Sequence, residues 1–286
     1  MRPDGVQTLL PLALAFIMLY LGLTLEAGDF RRVARRPKAL AVGLVAQVLL
    51  VPLAGFAVAY GSGLSPVMAV GLMVLAACPS GVSSGLLTHL ARGDTALAIS
   101  LTAVTSLAAV LTLPLVVGAS FQFFMASQLA VQLPVVAMVK GIFVLTTLPV
   151  VLGMVVRWRF ANAVQRVEPV IGKVTTTLFV LIVLNTFWDQ RQVLLDNLPL
   201  LGPAVLALNL LILGGAYLLS QVTRLSRRDR IAVITECGLK NSALGIVVCL
   251  QWLQQPAMSV PSVVYALSMN VFALTFVVLM RKTSQL

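Results

Sequence analysis

Glu236-Cys237-Gly238-Leu239-Lys240-Asn241-Ser242 sits in the middle of an apolar run that extends from about residue 229 to about residue 254. A carboxylate and a lysine at the centre of a segment otherwise suited to hydrocarbon are expensive there, and such groups in a span usually handle an ion or a substrate. Glycine and asparagine between them weaken the helix, so this segment is expected to be broken. A second run is interrupted in the same way by Cys78-Pro79-Ser80-Gly81-Val82-Ser83-Ser84-Gly85, where Pro79 removes a backbone donor. Both breaks read glycine, any residue, two polar residues, then a small one. Gly81 and Gly238 stand 157 residues apart, about half the chain. Small residues alone would serve close helix packing in a membrane. That reading explains the glycines and leaves the charged pair unexplained.

Around these breaks the chain is apolar throughout. Of its 286 residues 59% are hydrophobic and 10% charged, and the mean hydropathy is +1.02. Segments long enough for a hydrocarbon core of roughly 30 Å recur at about 7–27, 37–59, 66–91, 94–117, 134–156, 168–188, 199–221, 229–254 and 259–280. The expected fold is therefore an all-α integral membrane protein of about nine transmembrane helices. They occupy residues 1–286 as one membrane unit, without a separate soluble domain. Gln47 in the second span has a counterpart 162 residues on, Asn209 in the seventh. An inverted repeat of four spans and then five fits both spacings, with the two broken helices in equivalent places and crossing. This is the plan of many secondary transporters.

The net charge of +11 is a topology signal rather than a nucleic-acid signature. Arg31, Arg32, Arg35, Arg36 and Lys38 follow the first span, and Arg92 follows the third. Arg157, Arg159, Arg166 and Lys173 follow the fifth, Arg224, Arg227, Arg228 and Arg230 the seventh, and Arg281 and Lys282 the ninth. If every segment crosses, these loops share one side, which puts the C-terminus in the cytoplasm and the N-terminus outside. The first segment is long, carries no small-residue cleavage site and is followed by arginines, so it reads as a span rather than a signal peptide. Cys78, Cys237 and Cys249 are an odd number in apolar segments, which suits packing better than a disulfide framework or a metal site.

These motifs resemble those of the bile acid:sodium symporter family, including bacterial homologues of the apical sodium-dependent bile acid transporter. The likeness runs through Leu10–Leu25 with Asp29-Phe30, through Val45-Ala46-Gln47 with Pro52, and through Cys78-Pro79 with Gly81, Ser84 and Thr88 to Gly93. It is carried furthest by Glu236, Gly238, Asn241 and Ser242. The resemblance implies a panel domain at approximately 7–27 and 134–188 and a core domain at approximately 37–117 and 199–280. It implies a secondary active transporter of an organic anion, whether bile-acid-like, a steroid conjugate or a small carboxylate, working by alternating access. It also implies a multi-pass plasma membrane location, here a bacterial inner membrane.

The resemblance further implies two sodium sites behind the crossing. For the first, Ser84, Thr102 and Glu236 match, whereas Gly85 and Ala98 stand where the family has side-chain oxygens. For the second, Gln47, Glu236 and the carbonyls of Cys237 and Leu239 match, but Lys240 replaces a glutamine. Oxygen ligands suit a hard monovalent cation and an ammonium repels it. Sodium coupling is thus expected to be weakened or replaced through Lys240, with sodium or a proton as the coupling ion and no further cofactor. Glu236 and Lys240 stand four apart, acid first, the favourable order for an ion pair on one helix face. Two readings stay open: a neutralising pair, or a lysine that substitutes for sodium and exchanges a proton. For the substrate, the resemblance implies Asn241 and Asn270, and Ser83, Thr105 and Ser268 are further polar candidates.

An enzyme is not expected. His89 is the single histidine, and neither a carboxylate dyad nor metal-ligand spacing occurs in the spans. The expected partners are a small organic anion and membrane lipid, with no nucleic acid. The alternatives to a carrier with altered coupling are a channel and a sodium symporter with conventional coupling.

Overall fold

The computed structural model describes residues 3–26, 28, 37–81, 83–125 and 134–282. Arg31, Arg32, Arg35 and Arg36, on which part of the charge asymmetry rests, lie outside the described residues. The protein is an all-α membrane protein. Its helices are α1 Pro3–Leu23, α2 Pro37–Gly61, α3 Pro66–Ala77, α4 Ser84–Leu90, α5 Thr95–Phe124, α6 Val135–Arg159, α7 Ala161–Asp189, α8 Arg191–Val222, α9 Arg227–Gly238, α10 Ser242–Trp252 and α11 Val260–Lys282. Among the described residues, α2, α5, α6, α7, α8 and the segment Pro256–Met280 are each long and apolar enough to cross a bilayer, and Leu10–Leu23, Pro66–Ala77 and Ser242–Trp252 are shorter apolar helices. The expected third and eighth spans are each two half-helices, α3 with α4 and α9 with α10.

Several helices outrun the limits read from hydropathy. The fourth was expected to stop near residue 117 and continues to Phe124; the seventh was expected from about 199 and begins at Arg191. The hydrogen-bond ladder of a helix does not end where hydrocarbon ends, so polar residues such as Arg191, Asp196 and Asn197 extend it beyond the apolar stretch.

Two prolines explain two local irregularities. Pro52 and Pro149 have no N–H and their rings crowd the preceding turn. In each case the turn just upstream widens to a π-helical one, Ala46–Leu50 in α2 and Phe143–Thr147 in α6, and the helix continues. The widened turn in α2 contains Gln47, which is buried.

α1, α6 and α7 pack on one another, and α1 meets α6 most closely of all. That approach depends on two glycines. A Cβ on Gly22 would sit 2.1 Å from the Val150 carbonyl oxygen, and one on Gly153 would sit 2.3 Å from that of Leu19. Backbone contact of this kind replaces the hydrophobic drive that lipid cannot supply. The remaining helices form the other group: α3 packs on α2 and α5, α8 on α9 and α11, and α9 on α4 and α5.

Candidate functional site

The two breaks meet each other. Cys78 and Leu239 leave the helical region of backbone space for extended conformations, and Ser80 and Lys240 form an antiparallel bridge. Its hydrogen bonds are reciprocal: Gly81 N–H donates to Leu239 O at 2.8 Å and Asn241 N–H donates to Pro79 O at 2.9 Å. Backbone groups that each helix loses at its break are thereby satisfied by the other break, as an unwound segment inside a membrane protein requires. Gly81 has a specific steric reason, since a Cβ there would come within 3.2 Å of Lys240 O. On the far side of the break, Asn241 Oδ1 accepts from Leu244 N–H at 3.0 Å and caps α10. Tyr265, fully buried on α11, donates its hydroxyl to Gly238 O at 2.9 Å.

Behind the bridge, the side chains predicted for ion coupling form one network. Thr102 Oγ1 donates to Glu236 Oε2 at 2.7 Å and lies 3.2 Å from Ser84 Oγ. Glu236 is completely buried, and its other oxygen, Oε1, has no hydrogen-bond partner among the described residues. Gln47 Nε2 donates to Glu236 O at 2.9 Å and to Ser80 Oγ, and Ser80 Oγ donates to Glu236 O at 3.0 Å. Lys240, 1% exposed, donates from Nζ to Gln47 Oε1 at 3.0 Å.

One expectation is corrected here. Glu236 and Lys240 do not form an ion pair along a helix face, because α9 ends at Gly238 and Leu239 turns the chain before Lys240 is reached. The Lys240 ammonium goes to Gln47 instead. Of the two carbonyls named for the second ion site, that of Leu239 is engaged in the bridge. Cys237 is buried and free, as are Cys78 and Cys249. Ser80 was not singled out from the sequence. A serine three residues before Ser83 has no distinguishing signal until the second break is brought against it, and Tyr265 escaped for the same reason.

A cavity of about 970 Å³ lies between α1 and α7 on one side and the bridge, α4 and α11 on the other. Three of the five predicted substrate residues line it: Ser83, Asn241 and Asn270. Among the described residues, Asn241 Nδ2 has only the weak acceptor Met18 Sδ, at 3.8 Å. The other two are placed elsewhere. Thr105 borders a small pocket beside Gln47 and Pro79 and donates to Leu101 O at 2.8 Å. Ser268 lies 3.2 Å from Asn209 Nδ2 and donates to Tyr265 O. Asn209, the expected counterpart of Gln47, thus bonds within α8 and to α11.

This crossing is accompanied by a direct sequence match: residues 11–197 fit the model of the Sodium Bile acid symporter family. The chain belongs to that family. Its members are membrane transporters, not enzymes. Among similar proteins is the "Probable sodium/metabolite cotransporter BASS2, chloroplastic" of Oryza sativa subsp. japonica, 31% identical over 91% of this chain and 61% of that protein. Another is the "Uncharacterized sodium-dependent transporter YocS" of Bacillus subtilis, 28% identical over 93% of this chain and 80% of that protein. The "Ileal sodium/bile acid cotransporter" of Mus musculus is 34% identical over 110 residues, 38% of this chain and 32% of that protein. The chain thus spans less than two thirds of the rice relative's length, and four fifths of the bacterial one's.

Proposed function

We propose that this member of the symporter family is a secondary active transporter of an organic anion, in which the Lys240 ammonium occupies the place of one coupling cation. The observation that carries the reading is the 3.0 Å bond from Lys240 Nζ to Gln47 Oε1, on an amide whose other end is tied to Ser80 and to Glu236 O. Gln47 therefore offers its oxygen to a cation, and the cation present is covalently part of the chain. A sodium ion close to the same oxygen would meet an ammonium in a medium of low dielectric.

At the other place, Ser84 Oγ, Thr102 Oγ1 and the Glu236 carboxylate supply oxygens, and the free Oε1 suits a small hard cation. Gly85 and Ala98 add no side-chain oxygen there. The residues thus fit at most one sodium, or a proton, rather than two sodium ions. α1, α6 and α7 act as a panel, the remaining helices as a core, and relative movement of the two exposes the cavity alternately to each side. The orientation is N-terminus outside and C-terminus cytoplasmic, in a bacterial plasma membrane, with the cargo an organic anion held at Ser83, Asn241 and Asn270.

Proteoliposomes test this. Uptake of labelled cholate or pyruvate should accelerate when unlabelled compound is trapped inside, as a carrier requires and a channel does not. Uptake should respond weakly to an imposed sodium gradient. Lys240→Gln should lose activity without sodium and recover part of it with sodium. Relatives named as sodium cotransporters favour a second reading, conventional sodium symport. Steep sodium dependence of the wild type, with Lys240→Gln responding identically, would establish that reading and overturn this one.

A further inference from the structure

We propose that Lys173 is the charge by which the cavity selects anions, so that the protein uses one lysine for coupling and a different one for cargo. This rests on the transporter reading above. Two cations line the cavity, Lys173 on α7 and Lys240 at the bridge. The Lys240 ammonium is engaged by Gln47 behind the crossing, and the residue is 1% exposed. A cargo in the cavity therefore meets its backbone surroundings rather than a free charge.

Lys173 is exposed, and among the described residues its ammonium has neither an ion pair nor a hydrogen bond. Glu168, the preceding carboxylate on α7, is held by Arg157 at 3.2 Å. Of the hydroxyls on the same wall, Thr176 donates to Gly172 O and Thr177 to Lys173 O, both at 2.9 Å, while Thr175 Oγ1 is buried without a hydrogen-bond partner among the described residues. Tyr20 stands against the same turn: a Cβ on Gly172 would come within 2.7 Å of its hydroxyl oxygen, so a side chain there would push the ring away. The α1–α7 wall thus carries an ammonium and a phenol, and across the cavity stands the Asn241 Nδ2 donor, whose only acceptor among the described residues is a thioether. Donors on both walls and apolar residues such as Leu86, Phe179 and Met269 between them suit a carboxylate or sulfonate carried on an apolar body. Attachment of the acid group to α7 would also tie cargo binding to the panel rather than to the crossing.

The charge can be read without knowing the cargo. Thr177 lines the cavity one helical turn from Lys173, so a Thr177→Cys thiol reports the local potential. Its modification rates by sulfonatoethyl and trimethylammonioethyl methanethiosulfonate are compared in purified protein at low salt. The chain without the Thr177 change serves as control for the buried native cysteines. Lys173→Gln should lower the anionic-to-cationic rate ratio roughly five- to ten-fold, and Lys173→Arg should preserve it. A ratio changed less than two-fold by Lys173→Gln overturns the proposal. In transport, Lys173→Gln should raise KM for cholate with little change in the maximal rate or in sodium response, and Lys173→Arg should restore KM. A wild type that carries no anion refutes the transporter reading, whereas an unchanged thiol ratio refutes the role of Lys173.

Discussion

Replacing Lys240 by glutamine removes one positive charge from a place where Glu236 is completely buried and Gln47, 5% exposed, accepts the ammonium at 3.0 Å. Three losses coincide. The charge-assisted hydrogen bond to Gln47 Oε1 is worth about 1.5–3 kcal/mol. Gln47 Oε1 is left without its donor inside the protein. The Glu236 carboxylate, which is not paired with Lys240, loses a buried positive charge from its surroundings, and the about 3–5 kcal/mol typical of breaking a contacting buried pair is the upper limit for that loss. These terms overlap, so the larger one bounds the effect. For a chain of this size about 2 °C accompanies each kcal/mol, so the melting temperature in sodium-free buffer should fall by at least roughly 3 °C from the hydrogen bond and by at most roughly 10 °C. If the vacated place then accepts sodium, an ion present at a hundred times its Kd restores about 2.7 kcal/mol, or roughly 5 °C. The assay is thermal unfolding of detergent-purified protein in matched sodium and choline chloride. The wild type should melt at nearly the same temperature in both salts, and the variant should separate them. A wild type stabilised by sodium as strongly as the variant, or a variant that melts like the wild type without sodium, would refute the assignment of Lys240 as the resident cation.

Other expectations follow from single contacts. Gly153→Val places side-chain atoms where Leu19 O already lies 2.3 Å from a Cβ, so α1 and α6 should fail to dock and the yield of folded protein should collapse on size exclusion; Gly214→Ala, with nothing within 4 Å, should be tolerated. Tyr265→Phe removes the hydroxyl from Gly238 O and leaves a buried carbonyl at the break, a cost of about 1–2 kcal/mol, read as a melting temperature lower by roughly 2–4 °C. Cysteines introduced at the exposed Gln122 and Arg227, at opposite ends of the bundle, should label from opposite sides of intact cells; labelling of both from outside would contradict the orientation inferred from the arginines. If Lys240 also exchanges protons, wild-type uptake should follow an imposed pH gradient and that of Lys240→Gln should not.

The spans were legible from the sequence because lipid leaves little choice: an apolar segment of about 20 residues must close its own hydrogen bonds, so its existence follows from composition. The two breaks were legible for the complementary reason, since Pro79, Gly81, Glu236, Gly238 and Lys240 contradict that environment locally and need no partner to be noticed. Helix ends were less so, because Arg191 to Asn197 continue a ladder that hydropathy does not record. The site was legible only as a set of residues. Glu236, Thr102, Ser84, Gln47 and Lys240 were named, yet the spacing of Glu236 and Lys240 suggested a pair on one helix, and that depended on the helix continuing through Leu239.

What the sequence by itself determined is therefore one-dimensional: which segments cross, where they are interrupted, and which polar residues stand at the interruptions. Which residue each of them meets was decided by the tertiary structure. The backbone bridge between Ser80 and Lys240 joins positions 160 residues apart, and its extended geometry turns the lysine off the helix and onto Gln47. The same crossing brings Ser80 to the Glu236 carbonyl and Tyr265 to that of Gly238, while Thr105 and Ser268 bond locally away from the cavity. Polarity can be read in a residue; direction cannot, because it depends on the dihedral angles at the two breaks, where Cys78 and Leu239 turn extended, and on the approach of one break to the other, where Gly81 lies against Lys240 O.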